Sequence, residues 1–526
     1  MSFTHLLGTV LCMLVTAAGS PGQQQPRPLI FGINAGVSDA QLEAAKAAGC
    51  TNIRIGAGWD LVEPEPGVFK WDEPDHAVAQ CEKYSLEPIF LIVATPKWAL
   101  APEQRDKPWG WAVPPEFYPQ ARRFYRMVAE RYKGRVRYYE FWNEQNGYGW
   151  HAGNKPEEYA PVLKLAYTAI KEVDPDCLVA VGGLDGGGWK GYPRYLERLY
   201  ELGCGDFFDA VAVHPYRADG PIDGHSLKRI HQILVSHGHG DRKLWITEYG
   251  WSKEYGHDLK ARWLAESLDM LTSPEFHFVV QASVHTLRDF DGSEYGLCDR
   301  KGNPRAAYYV FKEYPKDWKA IADRHARLAT IPVYRVTDDF ENGSHAWKPF
   351  GAGFEIVPAA RLGIPPEAGS RVLTSCPPGR RRASSRGGSA AVDGGSGGAY
   401  LRLAIPERVP IRLSARVFTV HGDGSKGGVR VGIDPAGGTD PEAPSVIWSR
   451  VIETYDAWDT VGVGQGDPIL PSASHVTLFL RYDRTNKGRG PRIFDQVEFV
   501  ARPDPFRLPG SPPGDGQAGG TNATRR

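Results

Sequence analysis

Residues 136–144 read Val136-Arg137-Tyr138-Tyr139-Glu140-Phe141-Trp142-Asn143-Glu144, and residues 244–251 read Leu244-Trp245-Ile246-Thr247-Glu248-Tyr249-Gly250-Trp251. Each is a short run of aromatic and β-branched residues, the composition of a buried strand, and each delivers a carboxylate at its end. Six similar runs flank them: Leu29 to Asn34, Thr51 to Ile55, Pro88 to Val93, Leu178 to Val181, Ala210 to His214 and Val279 to His285. With Val136 to Trp142 and Leu244 to Thr247, that makes eight. Amphipathic stretches separate them. Phe117, Ala121, Phe124, Val128 and Tyr132 share one helical stripe, as do Tyr159, Val162, Leu163, Ala166 and Ile170. Ser38 and Gln41 give the first helix a capping-box pattern. Eight strand–helix units between Leu29 and Tyr314 predict an α/β chain folded as a closed (β/α)8 barrel. The first strand lacks a G-x-G-x-x-G turn, which argues against an open dinucleotide-binding sheet.

Beyond the barrel the period changes. Ile411, Leu413, Ala415 and Val417 alternate with Arg412, Ser414 and Arg416, and Val476, Leu478 and Leu480 alternate likewise. This predicts an antiparallel β-sandwich of jelly-roll type. The expected organisation is an export signal over 1–20, a barrel over 28–316, a polar connector over 317–333, a sandwich over 334–500 and a disordered tail over 501–526. The signal rests on the apolar run Leu6 to Ala18, too short to span a bilayer. An extracytoplasmic location and no integral membrane segment follow as expectations. Ser375 to Gly398, with its Arg380-Arg381-Arg382 run, is expected to be a long mobile loop.

At 526 residues the chain is long enough for two domains, and 62 Lys and Arg balance 62 Asp and Glu. That balance gives no sign of a nucleic-acid or anionic-membrane partner. Fifteen Trp and 23 Tyr exceed what a core needs and suit the faces of sugar rings. Seven cysteines occur without metal-ligand spacing, so no metal and no organic cofactor is expected, and the cysteines read as buried small apolar residues with one or two bridges left open.

In a barrel of this kind the polar residues just past each strand form the active site. Two glutamates, Glu144 and Glu248, fall after strands four and seven. Phe141-Trp142-Asn143-Glu144-Gln145-Asn146 and Trp245-Ile246-Thr247-Glu248-Tyr249-Gly250-Trp251 resemble the acid/base and nucleophile motifs of clan A glycoside hydrolases, most of all the family 39 type of xylosidases and exopolysaccharide-cleaving enzymes. Asn52-Ile53-Arg54, Trp59-Asp60-Leu61-Val62-Glu63-Pro64 and His214-Pro215-Tyr216 extend the resemblance over residues 29–316. It implies Glu144 as acid/base and Glu248 as nucleophile of a retaining hydrolase. Asn143 would hold a sugar hydroxyl, Arg54 and Tyr216 would donate to Glu248, and His214 would lie beside substrate or nucleophile. Strand eight departs from the family pattern. Where many relatives place a Trp as subsite floor, this chain has His285, which points to a more polar subsite.

Read from the residues alone, Arg54 also suits a structural ion pair, and His214 a backbone contact. Trp59, Trp98 and Trp251 are candidate sugar platforms, with Trp109, Trp111, Trp150 and Trp189 as further strand-end tryptophans that pack loops or face sugar. Trp448, Tyr455 and Trp458 are either glycan-binding or core residues of the sandwich. Asn342-Gly343-Ser344 and Asn522-Ala523-Thr524 match glycosylation acceptors. The expected partner is an oligo- or polysaccharide, with endo action favoured by the long segments 98–115 and 182–191. A transglycosylase on the same scaffold and a catalytically silent glycan-binding protein are the alternatives.

Overall fold

A computed structural model describes residues 29–502, apart from 106–111, 148–154, 187–190, 218–219, 291–293, 332, 342–345, 363–370, 376–395, 406–408, 420–427, 453–457, 466–467 and 484–491. The expected export signal, the Arg380 run, both glycosylation acceptors, Tyr455, Trp109, Trp111, Trp150 and Trp189, and nearly all of the expected tail lie outside the described residues.

Eight parallel strands form a closed barrel in chain order: β1 (Ile30–Asn34), β2 (Asn52–Gly58), β3 (Glu87–Val93), β4 (Tyr138–Asn143), β5 (Leu178–Asp185), β6 (Ala210–His214), β7 (Lys243–Tyr249) and β8 (Val279–His285). The last closes on the first, from Ile30 opposite Gln281 to Asn34 opposite His285. Around them run α1 (Asp39–Ala47), α2 (Trp59–Val62), α3 (Asp72–Lys83), α4 (Tyr118–Tyr132), α5 (Pro156–Val173), α6 (Tyr192–Glu201), α7 (Gly224–Ser236), α8 (His257–Leu271) and α9 (Ala306–Glu313). The expected helical stripes face inward: Ala121, Phe124, Val128 and Tyr132 of α4 and all five named residues of α5 are buried. At α1, Ser38 takes the N-cap position without a side-chain cap. Gln41 accepts instead from the amide of Gly36, at 2.5 Å, two residues before the N-cap, so neither bond of the expected capping box forms.

The segment expected as a polar connector is folded. α10 (Trp318–Ala329) is capped by Asp317, whose carboxylate accepts from the Ala320 amide at 2.9 Å. Its Ile321 is buried, and Arg324 grips Asp269 of α8 through two hydrogen bonds of 2.5 and 2.9 Å. A polar sequence with one apolar anchor and a cap is enough to dock a helix on the barrel wall.

The sandwich comprises β9 (Tyr334–Asp338), β10 (Lys348–Gly351), β11 (Phe354–Pro358), β12 (Arg371–Ser375), β13 (Gly397–Ala404), β14 (Ile411–Thr419), β15 (Val429–Asp434), β16 (Ile447–Trp448), β17 (Trp458–Val463), β18 (His475–Tyr482) and β19 (Arg492–Ala501). One antiparallel sheet runs β10-β13-β18-β15-β16 and the other β11-β12-β19-β14-β17, with β9 also pairing β19. The predicted alternation fills the space between them: Leu413, Ala415, Val417, Val476, Leu478 and Leu480 share one core. Neither Trp448 nor Trp458 belongs to it. Trp448 packs on Phe479 at 5.7 Å under the Arg430 guanidinium, and Trp458 on Phe418 at 5.4 Å.

Sandwich and barrel are joined by buried polar contacts. The Trp263 indole donates to the Gln465 carbonyl at 2.6 Å, and Arg412 pairs with Glu266 at 2.8 Å. Asp223, which caps α7, also accepts from Arg416 at 2.8 Å and Thr460 at 3.0 Å. Burial alone would raise the Asp223 pKa, but Arg416, with His225 and Arg217, holds it well below the usual carboxylate range. Removing one partner of such a pair strands the other charge. Asp223→Ala is expected to destabilise the chain by about 3–5 kcal/mol. Denaturant titration at neutral pH checks this, and a loss below about 1 kcal/mol, the worth of an exposed pair, contradicts it.

Candidate active site

The carboxyl ends of β4, β6, β7 and β8, with Arg54 from the third position of β2, bring together the side chains expected to carry chemistry. Deeper in the lumen, Ala180, Ala210, Ala212 and Trp245 pack with Tyr138 and Leu178 into an apolar plug. Above that plug the lumen turns polar.

Arg54 on β2 crosses to β4, where its Nε and Nη2 donate to the two oxygens of Glu140 at 2.7 and 3.0 Å. Its Nη1 donates to Glu248 Oε1 of β7 at 2.5 Å, and Nη2 also to Asn143 Oδ1 at 2.7 Å. Both sequence readings of Arg54 therefore hold geometrically: it makes a buried ion pair and it donates to Glu248. Tyr216 donates to the other oxygen, Oε2, at 2.8 Å. Burial would push the Glu248 pKa up; positive charge on His214, Arg54 and His285, with the Tyr216 hydroxyl, brings it down to about 2.

Glu144 faces this carboxylate from the end of β4. Its Oε1 lies 2.9 Å from His214 Nδ1. The other ring nitrogen is 3.1 Å from Thr247 Oγ1, and Thr247 donates onward to Glu140 Oε1 at 2.9 Å. Since an ionised Glu140 only accepts and Thr247 gives it the hydroxyl proton, His214 Nε2 must carry the hydrogen that Thr247 accepts. Nδ1 is left as the atom that exchanges a proton with Glu144. Burial disfavours charge on His214, but Glu248 and Glu144 outweigh it and raise the pKa above its ordinary value.

The backbone makes room for this. Trp142 and Glu144 both have positive φ, 78° and 49°, a conformation side chains rarely adopt. The Glu144 amide donates to the Gly183 carbonyl at 2.8 Å and fixes the turn. A Cβ on Gly182 would meet the Trp142 carbonyl oxygen at 2.3 Å, and one on Gly183 would meet His214 Nε2 at 2.1 Å. The ladder of β5 with β6 shifts register across this glycine pair. A second shift, between Ile246 and Tyr249 of β7, turns Thr247 and Glu248 inward together, where a regular strand would send neighbours to opposite faces.

Several sequence assignments are corrected by burial. Trp59 is fully buried, stacked on Phe124 at 5.5 Å, with its indole on Glu63 at 2.8 Å; it is a core residue, not a sugar platform. Trp251 is 4% exposed and donates to the Gly220 carbonyl at 2.8 Å, so it ties the loop after β6 to the wall. Trp98 is half-buried and anchored to the Glu63 carbonyl at 2.8 Å, edge-on to Trp59. His214 is fully buried behind Glu144 and beneath Glu248, which removes it from direct contact with substrate. His285 does stand at the mouth, its Nδ1 3.8 Å from Glu248 Oε2, between the rings of Tyr216, Tyr295 and Phe290. Glu140, Thr247, Gly182 and Gly183 were not singled out from sequence. Only Glu140 carried a signal, a lone charge in the middle of an apolar strand.

The five cysteines described, Cys50, Cys81, Cys177, Cys204 and Cys298, are buried and unbridged. Glu144, His214 and Glu248 have the mutual spacing of a metal site, with ligand atoms within 4.8 Å of one another. Arg54 already supplies a positive charge against Glu248, and like charge disfavours a metal ion beside it. No helix among the described residues is long and apolar enough to cross a membrane.

No known family model and no curated protein matches the sequence. Among solved structures, the chain is similar to a family 39 glycoside hydrolase from the gut symbiont Bacteroides cellulosilyticus WH2, with 17% identity, TM-score 0.46, and 90% of this chain and 81% of that one covered. It is also similar to the GH39 enzyme of Xanthomonas axonopodis pv. citri, at 16% identity and TM-score 0.45 over 88% and 96% of the two chains. A monomeric beta-xylosidase from Caulobacter crescentus CB15 stands at 15% identity and TM-score 0.45, over 86% and 96%. At such low identity the chemistry has to be read from this chain's own side chains.

The depressed pKa of Glu248 links the site to stability. A carboxylate whose folded pKa lies below its ordinary value of 4.5 contributes stability that is full above that value and is lost as pH falls toward about 2. Glu248→Gln is expected to flatten the fall of the urea midpoint between pH 5 and pH 3. An unchanged slope would mean that Glu248 is not held ionised.

Proposed function

We propose that the chain is a retaining O-glycoside hydrolase that cleaves an oligo- or polysaccharide outside the cytoplasm by double displacement. The observation that carries this reading is the pair of carboxyl groups at the barrel mouth. An oxygen of Glu144 and an oxygen of Glu248 lie within 4.8 Å of each other. Retention uses carboxyls about 5–5.5 Å apart, whereas inversion needs about 6.5–9.5 Å to admit a water.

Environment separates their roles. Glu248, held ionised by Arg54 and Tyr216, attacks the anomeric carbon, forming a carbon–oxygen bond as the glycosidic bond breaks. Glu144 gives the departing oxygen its proton. In the second step Glu144 takes a proton from water as that water displaces Glu248, and both groups return to their starting states. His214 Nδ1 keeps the acid's proton in the site through their shared hydrogen bond. The Arg54 guanidinium is set between two carboxylates, Glu140 and Glu248, so acidic groups outnumber it at the mouth. A fixed negative charge suits the positive charge that develops on a sugar ring in the transition state.

Endo action is the finer part of the proposal. It rests on the expectation that 98–115 and 182–191 are long strand-end segments; residues 182–185 are instead part of β5, and 106–111 and 187–190 lie outside the described residues. Export rests on the apolar run Leu6 to Ala18.

The test is hydrolysis of plant and bacterial polysaccharides and aryl glycosides by wild type, Glu144→Ala and Glu248→Ala, with azide added. Wild-type cleavage, losses of about 10²–10⁴-fold or more in each variant, and azide rescue giving products of opposite anomeric configuration are expected. Substrate cleavage at wild-type rates by both variants would overturn the assignment.

A further inference from the structure

Val431, Leu478 and Leu480 of the sandwich sheet β10-β13-β18-β15-β16 point into its core, so alternation turns their neighbours to the outer face. The register lines those neighbours up across the strands. Lys348 pairs with Tyr400, Tyr400 with Phe479, Phe479 with Gly432 and Gly432 with Trp448, one row that crosses the whole sheet. The next row runs Phe350, Gly398, Arg481 and Arg430. Glycine stands where rings lie down on the sheet: a Cβ on Gly432 would meet the Trp448 ring at 2.7 Å, and one on Gly398 would meet Phe350 at 2.8 Å. Phe479 is buried at the centre, with the half-buried rings of Trp448, Tyr400 and Phe350 at 5.7, 6.2 and 6.0 Å from it.

The charges beside these rings are poorly matched. Arg430 and Arg481 are direct partners on neighbouring strands, with guanidinium carbons 4.6 and 5.6 Å from the Trp448 ring, and like charges so placed repel. One carboxylate, Asp483, stands against both, 3.0 Å from Arg481 and 3.3 Å from Arg430. Arg481 also has Glu442 at 2.5 Å, but that side chain is 71% exposed. The terminal nitrogens of Arg430 have no hydrogen bond among the described residues. Burial lowers the Arg430 pKa, Asp483 opposes this, and Arg481 adds to it. At the other end of the face Lys348 and Arg402 are exposed and have no ion-pair partner among the described residues. An anionic group between Arg430 and Arg481 would relieve their repulsion, and an apolar ring face would cover the aromatic row alongside. A uronosyl residue brings both, a carboxylate on one edge and C–H faces on the ring. The chain's balanced net charge gives no long-range pull on a dense polyanion such as nucleic acid, so sparse charge on a sugar chain is the better match. The sheet's edge also stands on the catalytic side of the barrel: burial raises the Tyr255 pKa to about 12, and Arg450, two residues past Trp448, opposes that rise in the segment after β7.

We propose that this face is a second binding surface, separate from the catalytic mouth, for an acidic polysaccharide: uronosyl carboxylates bind between Arg430 and Arg481, and the sugar faces lie along the row from Trp448 to Tyr400. That the ligand is a glycan rests on the glycosidase reading, whereas its carboxylate is inferred from this face alone. The barrel then cuts a polymer that carries uronosyl residues while the sandwich holds it.

The probes are polygalacturonate, alginate and hyaluronate, each beside its carboxyl-reduced form, with dextran sulfate and single-stranded DNA as comparators, and binding to the full chain is followed by isothermal titration at low and high salt. Wild type is expected to bind at least one uronate polymer about tenfold or more tightly than its reduced form, less so as salt rises. Arg430→Gln combined with Arg481→Gln is expected to weaken that binding about 10- to 100-fold, and Trp448→Ala about tenfold. Arg430→Lys, which keeps the charge but loses the planar fork, is expected to weaken it less than Arg430→Gln does. Urea midpoints identify any variant that fails to fold. Lys348→Gln combined with Arg402→Gln alters only exposed side chains, and a loss of about three- to tenfold is expected there as well. The proposal is overturned if wild type binds none of the three uronate polymers, if the reduced forms bind as tightly, if dextran sulfate or DNA binds more tightly than every uronate polymer, or if folded variants bind as wild type does. Uronate binding without cleavage of any glycan overturns the hydrolase and upholds this surface; cleavage of a neutral glycan without uronate binding overturns this surface alone.

Discussion

The guanidinium of Arg54 is the constraint around which the upper barrel is built. It is a cation almost wholly removed from water, and it is tolerated there because three acceptors on two strands surround it: Glu140, Asn143 and Glu248. Each acceptor is then drawn into further bonds. Glu140 takes hydrogens from Thr247 and from the Gly183 amide at 2.8 Å, and Thr247 orients His214. His214 in turn meets Glu144. A single buried charge on β2 therefore fixes, by successive hydrogen bonds, the tautomer of a histidine on β6 and the position of a carboxyl after β4.

Such a network demands departures from regular strands, and they occur where it is densest. The glycine pair on β5 accommodates both the kinked end of β4 and the ring of His214. The extra residue in β7 lets Thr247 serve Glu140 while its neighbour Glu248 serves Arg54 and Tyr216. Neither irregularity supplies a reactive group. Both decide whether the reactive groups converge.

This division explains what was legible in the sequence. Eight strands, the helical stripes on α4 and α5, and the alternating sandwich strands are periodic patterns, and periodicity reports which face is buried. Glu144 and Glu248 stood out because each ends an apolar run. Tryptophans gave no comparable signal, since Trp59 and Trp251 follow strands as platforms do, and only the packing of Trp59 on Phe124 and the bond of Trp251 to Gly220 show them to be parts of the wall. Gly182 and Gly183 looked like the start of a loop because a glycine's role lies in the atoms of other strands that crowd it.

The seam between the two folded parts bears on how the chain reaches its native state. Asp223 on the barrel is completed by Arg416 and Thr460, 193 and 237 residues further along, and Trp263 by Gln465, 202 residues on. During synthesis the barrel helices emerge long before these partners exist, so a nascent barrel carries an unpaired carboxylate and an uncovered indole until β17 and Gln465 beyond it have left the ribosome. Contacts of such sequence separation form late and slowly. The sandwich thus acts as the final closing element of the barrel's own wall, and the stretch of time before it arrives is when the chain is most open to misassembly.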